Sequence, residues 1–149
     1  MYFGIGIENP KTSQNIGLLW RSAENLGANF IFTVGGRTKD ELSDVLKTYK
    51  RIPFYKYADI DDFYAHLPHG CRLVGVENSE GASDLRTFQH FVRSVYILGA
   101  EDNGLTRRAL ELCHAVVNIP CVKGCFNVTV AGALVMYDRL MKTNVPEGK

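Results

Sequence analysis

No apolar run in the 149-residue sequence approaches the roughly 18–20 residues that a membrane span requires. Nor does a basic segment precede the first apolar stretch, so Tyr2–Glu8 reads as a strand and not as a secretory leader. Charge of either sign is missing in bulk: 17 Lys and Arg stand against 16 Asp and Glu, for a net charge of +1. Bulk charge therefore neither points to a nucleic-acid binder nor excludes one, since a local basic patch can hold phosphate while the total stays near zero. Cysteine is scarce, at Cys71, Cys113, Cys121 and Cys125, and free thiols in a reducing cytosol are expected. The cluster Cys113-His114, Cys121 and Cys125 contains ligand types but lacks the C-x2-C spacing of familiar zinc sites, so no metal is expected. Internal repeats, low-complexity tracts and linkers are also missing. What is present is ordinary: 46% apolar and 22% charged residues, enough for one cored domain over 1–149 with no added RNA-binding domain.

Strand and helix patterns alternate along the chain. Tyr2–Glu8, Phe30–Val34, Ile52–Tyr57, Cys71–Glu77, Ser94–Leu98 and Ala115–Ile119 read as strands. Helices are expected over Gln14–Leu26 with Ser13 as cap, Asp40–Leu46, Asp59–Leu67, from the Thr106 cap to Leu112, and Asn127–Met141. This order predicts an α/β fold, a mainly parallel sheet with helices on both faces. Ligands in such folds bind beyond the carboxyl ends of the strands, which directs attention to the loops after Ile7, Val34, Val76, Leu98 and Ile119. The last helix is apolar nearly all round from Val128 to Met141, so burial on most of its sides is expected.

Three constellations carry polar groups suited to chemistry. In Asn15-Ile16-Gly17-Leu18-Leu19-Trp20-Arg21, Gly17 and Arg21 share a helix face, and the small residue leaves room beside the guanidinium. The plain alternative is a surface Arg21 paired with Glu24. In Leu98-Gly99-Ala100-Glu101-Asp102-Asn103-Gly104-Leu105, a strand ends in glycines and an acid able to accept ribose hydroxyls. The same segment also reads as a tight β–α turn with an acid facing a helix dipole. In Ile119-Pro120-Cys121-Val122-Lys123-Gly124-Cys125-Phe126-Asn127, a Pro/Gly-punctuated loop leads into the apolar helix, where Asn127 reads equally well as an N-cap.

Taken together, N-x-G-x3-R, L-G-x-E-x2-G-L and I-P…N-V-x-V-A resemble, in order and spacing, the signature motifs of the SpoU/TrmH class of the SPOUT RNA methyltransferases. The resemblance runs from the first strand to Tyr137-Asp138-Arg139. It implies S-adenosylmethionine-dependent 2′-O-methylation of a ribose in tRNA or rRNA, a deep C-terminal trefoil knot and a homodimer. It implies a cofactor site at Leu98, Gly99, Ala100, Glu101, Gly104, Ile119, Pro120, Val122, Cys125 and Asn127. The catalytic set it implies is Arg21, Asn15, Glu101 and Asn127, with the arginine serving the partner subunit's site. Cys125 stands where many relatives carry serine, a weak thiol donor in place of a hydroxyl.

Binding RNA requires cations and an aromatic face. Lys47, Lys50, Arg51 and Lys56, interleaved with Tyr49, Phe54, Tyr55 and Tyr57, form the one such stretch, and Arg37, Lys39, Arg107 and Arg108 flank the expected ligand edge. The rival reading is a SPOUT-like or doubly wound nucleotide- or RNA-binding module that transfers no methyl group.

Overall fold

The computed structural model describes residues 1–36 and 51–143. The expected helix over Asp40–Leu46, and Arg37, Lys39, Lys47, Tyr49 and Lys50, lie outside the described residues. The elements are β1 (Tyr2–Glu8), α1 (Ser13–Asn25), β2 (Phe30–Val34), β3 (Phe54–Tyr57), α2 (Ile60–Ala65), β4 (Arg72–Val76), β5 (Ser83–Asp84), β6 (Arg93–Leu98), α3 (Arg107–Leu112), β7 (Ala115–Asn118) and α4 (Val128–Thr143).

All seven strands pair in parallel, in the order β3-β2-β1-β6-β4-β7-β5. Alternation along each strand divides the core in two. From β1, Phe3, Ile5 and Ile7 pack with Ile16, Leu19 and Trp20 of α1 and with Val135 and Met136 of α4. From β2 and β6, Phe30, Phe32, Val95 and Ile97 face the other way, onto Ile60 and Phe63 of α2 and Ala109 of α3. Helices therefore cover both faces, as strands buried on both sides require. On the second face β1 presents Gly4 and Gly6 between Tyr2 and Glu8, and a Cβ at either glycine would overlap the Phe30 or Phe32 ring. Those two glycines let the neighbouring strand's aromatics lie across the sheet.

β6, late in sequence, is inserted between β1 and β4. Its register sets Leu98 beside both Ile7 and Val76, and Val76 beside Val117. The carboxyl ends of β1, β6, β4 and β7 thus finish at one level, so their following loops gather at one edge.

Several boundaries differ from the pattern in the sequence. Thr12, not Ser13, caps α1: it holds an extended backbone, and its hydroxyl accepts from Asn15 N at 3.4 Å. β3 starts only after Pro53, a residue with no N–H to give a ladder. β5 is two residues long and offers no periodicity to read. The largest difference is α4. Val128, Thr129, Gly132, Val135, Met136 and Arg139 are buried, but Val130, Leu134, Tyr137 and Met141 are 36–55% exposed. One apolar face of the helix is open in the single chain.

Arg139, polar in an apolar helix, is buried at 2% exposure. Its guanidinium donates to Phe91 O at 2.8 Å, Val92 O at 3.0 Å and the Tyr96 hydroxyl at 3.1 Å, and lies over the Phe3 ring. A buried charge with this many acceptors ties α4 to the chain entering β6. Beside it, fully enclosed His90 bridges the Tyr96 hydroxyl at 2.6 Å and Asp138 at 2.8 Å.

Candidate ligand cleft and polar network

The loops after β4, β6 and β7 enclose a cleft of about 510 Å³, within the roughly 300–1,000 Å³ of small-molecule and cofactor sites. Leu98, Gly99, Ala100, Glu101, Gly104, Ile119 and Cys125 line it, as their sequence positions suggest. Pro120, Val122 and Asn127 do not, and Val122 projects fully into solvent. The sequence reading missed Glu77, Asn78, Asn118, Cys121 and Phe126 on the wall. Glu77 was findable, because it is an acid directly after an apolar strand, the same signal that singled out Glu101.

The lining contains Glu77, Glu101 and Asp102 but no lysine, arginine or histidine among the described residues. Such a wall attracts positive charge and offers a phosphate neutral donors but no cationic side chain among the described residues. Leu98, Ile119, Val128 and Ala131 supply apolar surface opposite the backbone of the loops.

The loop after β6 folds back on itself. Ala100 bridges Gly104, whose N–H donates to Ala100 O at 2.9 Å. A Cβ at Gly99 would overlap the Gly104 backbone, and Gly104 itself sits at φ +66° against the Glu77 carboxylate. The glycines are therefore required first for the loop's own closure and only then for a ligand's approach. Glu77 holds the loop from the side, accepting from Leu105 N at 2.8 Å and Asn78 N at 3.0 Å. Glu8, buried at the end of β1, accepts from Thr106 N at 2.9 Å and the Thr106 hydroxyl at 2.7 Å, which fixes where α3 begins.

The three sequence constellations meet in one hydrogen-bond network at the rim. Asn15 Nδ2 donates to Glu101 Oε1, and Lys11 N donates to Glu101 Oε2 at 3.4 Å. Asn127 Nδ2 and the Thr129 hydroxyl both donate to Asn15 Oδ1, at 3.4 and 3.2 Å. Asn127 also caps α4 as its alternative reading predicts, with Oδ1 accepting from Thr129 N at 2.9 Å. Glu101 is thus engaged by α1, and its carboxylate does not stand free for a ribose.

Arg21 is exposed on α1, one and a half turns beyond Asn15, and makes no hydrogen bond or ion pair among the described residues. The alternative partner, Glu24, pairs instead with Arg51 at 3.3 Å. The room expected beside Gly17 is filled, since that residue is buried. Arg107 pairs with Glu111 at 3.1 Å and Arg108 with Asp61 at 2.6 Å, all well exposed. Of the aromatic stretch, Phe54 stacks on Trp20 and Tyr57 packs edge-on to Phe63, leaving Tyr55 at 47% exposure beside exposed Lys56. His114, part of the weighed zinc cluster, instead accepts from Leu73 N through Nδ1 at 3.0 Å, and Cys113 packs against Gly75.

An all-parallel sheet covered on both faces, with a ligand cleft over the loops where the strand order reverses, defines a doubly wound α/β domain. Comparison with known proteins narrows the class. The chain belongs to the SpoU rRNA Methylase family, which matches residues 3–137. It is 26% identical over 137 residues to the tRNA (guanosine(18)-2′-O)-methyltransferase of Escherichia coli K12, covering 89% of this chain and 60% of that protein. The chain thus spans less than two thirds of the length of that curated relative. Among solved structures, it is similar to the SpoU methyltransferase AviRb from Streptomyces viridochromogenes in complex with AdoMet. That match has a TM-score of 0.83, 23% identity, and coverage of 97% of this chain and 58% of that one. A structure described for 2-OH methylation of C/U34 on tRNA matches over 95% of this chain and 96% of that one, with a TM-score of 0.81 and 19% identity.

Proposed function

We propose that the protein transfers a methyl group from S-adenosylmethionine to a ribose 2′-hydroxyl of tRNA or rRNA. The observation that carries this reading is the network joining Asn15, Glu101, Asn127 and Thr129 at the rim of the cleft, with uncommitted Arg21 on the same helix.

The cleft fits the cofactor by its donor set. Acidic and apolar walls, with no cation among the described residues, suit a sulfonium better than the phosphates of a nucleotide. The backbone of Leu98–Gly104 and of the loop after Ile119 would hold the adenosine, with Glu77, Glu101 and Asp102 supplying negative charge. Bound there, S-adenosylmethionine supplies an electrophilic methyl group.

The chain's own residues then have distinct tasks. A guanidinium has no lone pair readily available to take a proton, so Arg21 is no general base. Arg21 instead orients the 2′-oxygen and the neighbouring phosphate and stabilises negative charge as it develops on that oxygen. The proton leaves to phosphate or water. Asn15, gripped by Glu101 and Thr129, fixes the first turn of α1 and so aims Arg21. Tyr55 and Lys56, with Arg51, Lys47, Lys50, Arg37 and Arg107, provide the stacking face and phosphate contacts for RNA.

The open face of α4, continued by exposed Leu18 of α1, supports a homodimer in which Arg21 reaches the neighbouring cleft. Membership of the family supports a deep trefoil knot in the C-terminal part of the fold. The rival, a nucleotide-binding module without transfer, is less well supported, since the described lining carries three acids and no cation.

The test is methyl transfer from labelled S-adenosylmethionine to bulk RNA from a strain lacking the protein, followed by mapping of the modified ribose. Calorimetry with S-adenosylmethionine, its demethylated product and ATP runs alongside. Binding of the first two but not ATP, with label on a 2′-oxygen, is expected. Binding of ATP alone would establish the rival.

A further inference from the structure

The four cysteines fall into two chemical classes. Cys71 is buried and Cys113 largely so, and burial raises both thiols, Cys113 to about 12. Because the thiolate is the reactive form, these two are inert near neutral pH. Cys121 and Cys125 are exposed, and both line the cleft. They are the two ends of one five-residue turn, Cys121-Val122-Lys123-Gly124-Cys125. Gly124, at φ +71°, turns the chain back, and Cys121 Sγ donates to Gly124 O at 2.8 Å. That oxygen belongs to the peptide unit leading into Cys125, so the first sulfur already lies one peptide from the second cysteine. Disulfides join residues whose Cα atoms are about 4.4–6.8 Å apart. A short exposed turn reaches that separation without moving sheet or helix.

We propose that Cys121 and Cys125 form a reversible disulfide that closes the cleft to its ligand, making the protein sensitive to peroxide. In the forward step one thiolate attacks a peroxide oxygen. The O–O bond breaks, one water leaves, and that sulfur becomes a sulfenic acid. The second thiolate attacks this sulfur, the S–O bond breaks, and a second water leaves. Two thiols and one hydrogen peroxide become one disulfide and two waters, with sulfur oxidised and peroxide oxygen reduced. A dithiol reverses the bond by two exchanges. The cross-link fixes the turn on the cleft wall, so its backbone can no longer adjust to a ligand. This gating half rests on the proposed cofactor site, which uses the backbone of the same loop.

The experiment treats the purified full chain with hydrogen peroxide, maps cross-linked peptides by mass spectrometry, and follows hydrogen exchange over 120–126 and S-adenosylmethionine affinity. Expected are a Cys121–Cys125 peptide lighter by about 2 Da, slowed exchange, and return to the starting state with dithiothreitol. If the cross-linked loop is binding-competent about a tenth of the time, affinity falls about tenfold. Cys121→Ser and Cys125→Ser, each compared with itself before and after peroxide, should show no change in affinity. A cross-link to another cysteine, no cross-link, or a mapped cross-link with unchanged affinity would overturn the proposal. Reduced protein that ignores S-adenosylmethionine would refute the cofactor reading separately, because the cross-link is read by mass and the freezing of the loop by hydrogen exchange.

Discussion

Asn15 donates its side-chain amide to the Glu101 carboxylate, tying the first turn of α1 to the loop after β6 across 86 residues of sequence. The same Asn15 accepts from Asn127 and Thr129 at the start of α4. Removing either member of the first pair should leave the other without its main partner. Asn15→Ala and Glu101→Ala should therefore be non-additive, with a coupling of about 0.5–1 kcal/mol for so exposed a pair. Urea unfolding of the two single variants and the double variant measures it. Methyl transfer should fall further than stability does, because the pair aims Arg21.

Arg21 itself makes no hydrogen bond or ion pair among the described residues, so Arg21→Ala should unfold near the wild-type midpoint and bind cofactor nearly as well. Transfer should drop by ~10²–10³, as when a positioned charge-stabilising donor is lost. Arg21→Lys should not restore it, since one ammonium cannot reproduce the planar fork. Equal loss of cofactor affinity would count against this assignment.

Gly99 packs on the backbone of Gly104, with no room for a Cβ. Gly99→Ala should cost about 1–3 kcal/mol as an overpacked site and weaken cofactor binding with it. The two effects are linked because the same loop does both jobs. Thermal unfolding together with calorimetry separates this from a mere block of the cleft, which would leave stability unchanged.

His90 has its pKa depressed below the ordinary 6.5, chiefly by burial, against an opposing pull from Asp138. The unfolded chain then takes up this proton first, so folding stability falls as pH drops below about 6.5 towards the folded value. Other titratable and charged groups at this site are Tyr96, Arg139 and Lys142. His90→Gln should flatten that part of the stability–pH curve, measured as urea midpoints between neutral and mildly acidic buffers. An unchanged slope would remove His90 as its cause.

The open face of α4 carries Leu134 and Tyr137. Leu134→Glu should leave the chain folded but shift it from dimer to monomer in sedimentation, since a charge would enter an apolar contact. Wild-type protein that sediments as a monomer at micromolar concentration would exclude the dimer.

Much of this protein was legible in one dimension. The β–α alternation, the Thr106 helix cap, and the cleft loops after Val76, Leu98 and Ile119 followed from local pattern. So did the N-cap reading of Asn127, whose Oδ1 accepts from Thr129 N. These features are set by residues within a few positions of one another, where periodicity and turn chemistry act.

The sequence by itself determined most of the strands and helices, two-residue β5 apart, and where the motif residues stand along them. Only the tertiary structure decided which of them meet. The insertion of β6 between β1 and β4 levels Ile7, Leu98 and Val76, and that pairing brings Glu101 to Asn15. It also takes Arg139 into the interior and leaves Tyr137 outside on the same helix, although both are polar-tipped residues two positions apart. Among the described residues it leaves the cleft lined without a cation. Strand order, register and the burial of a charge depend on contacts made far along the chain, and no local period encodes them.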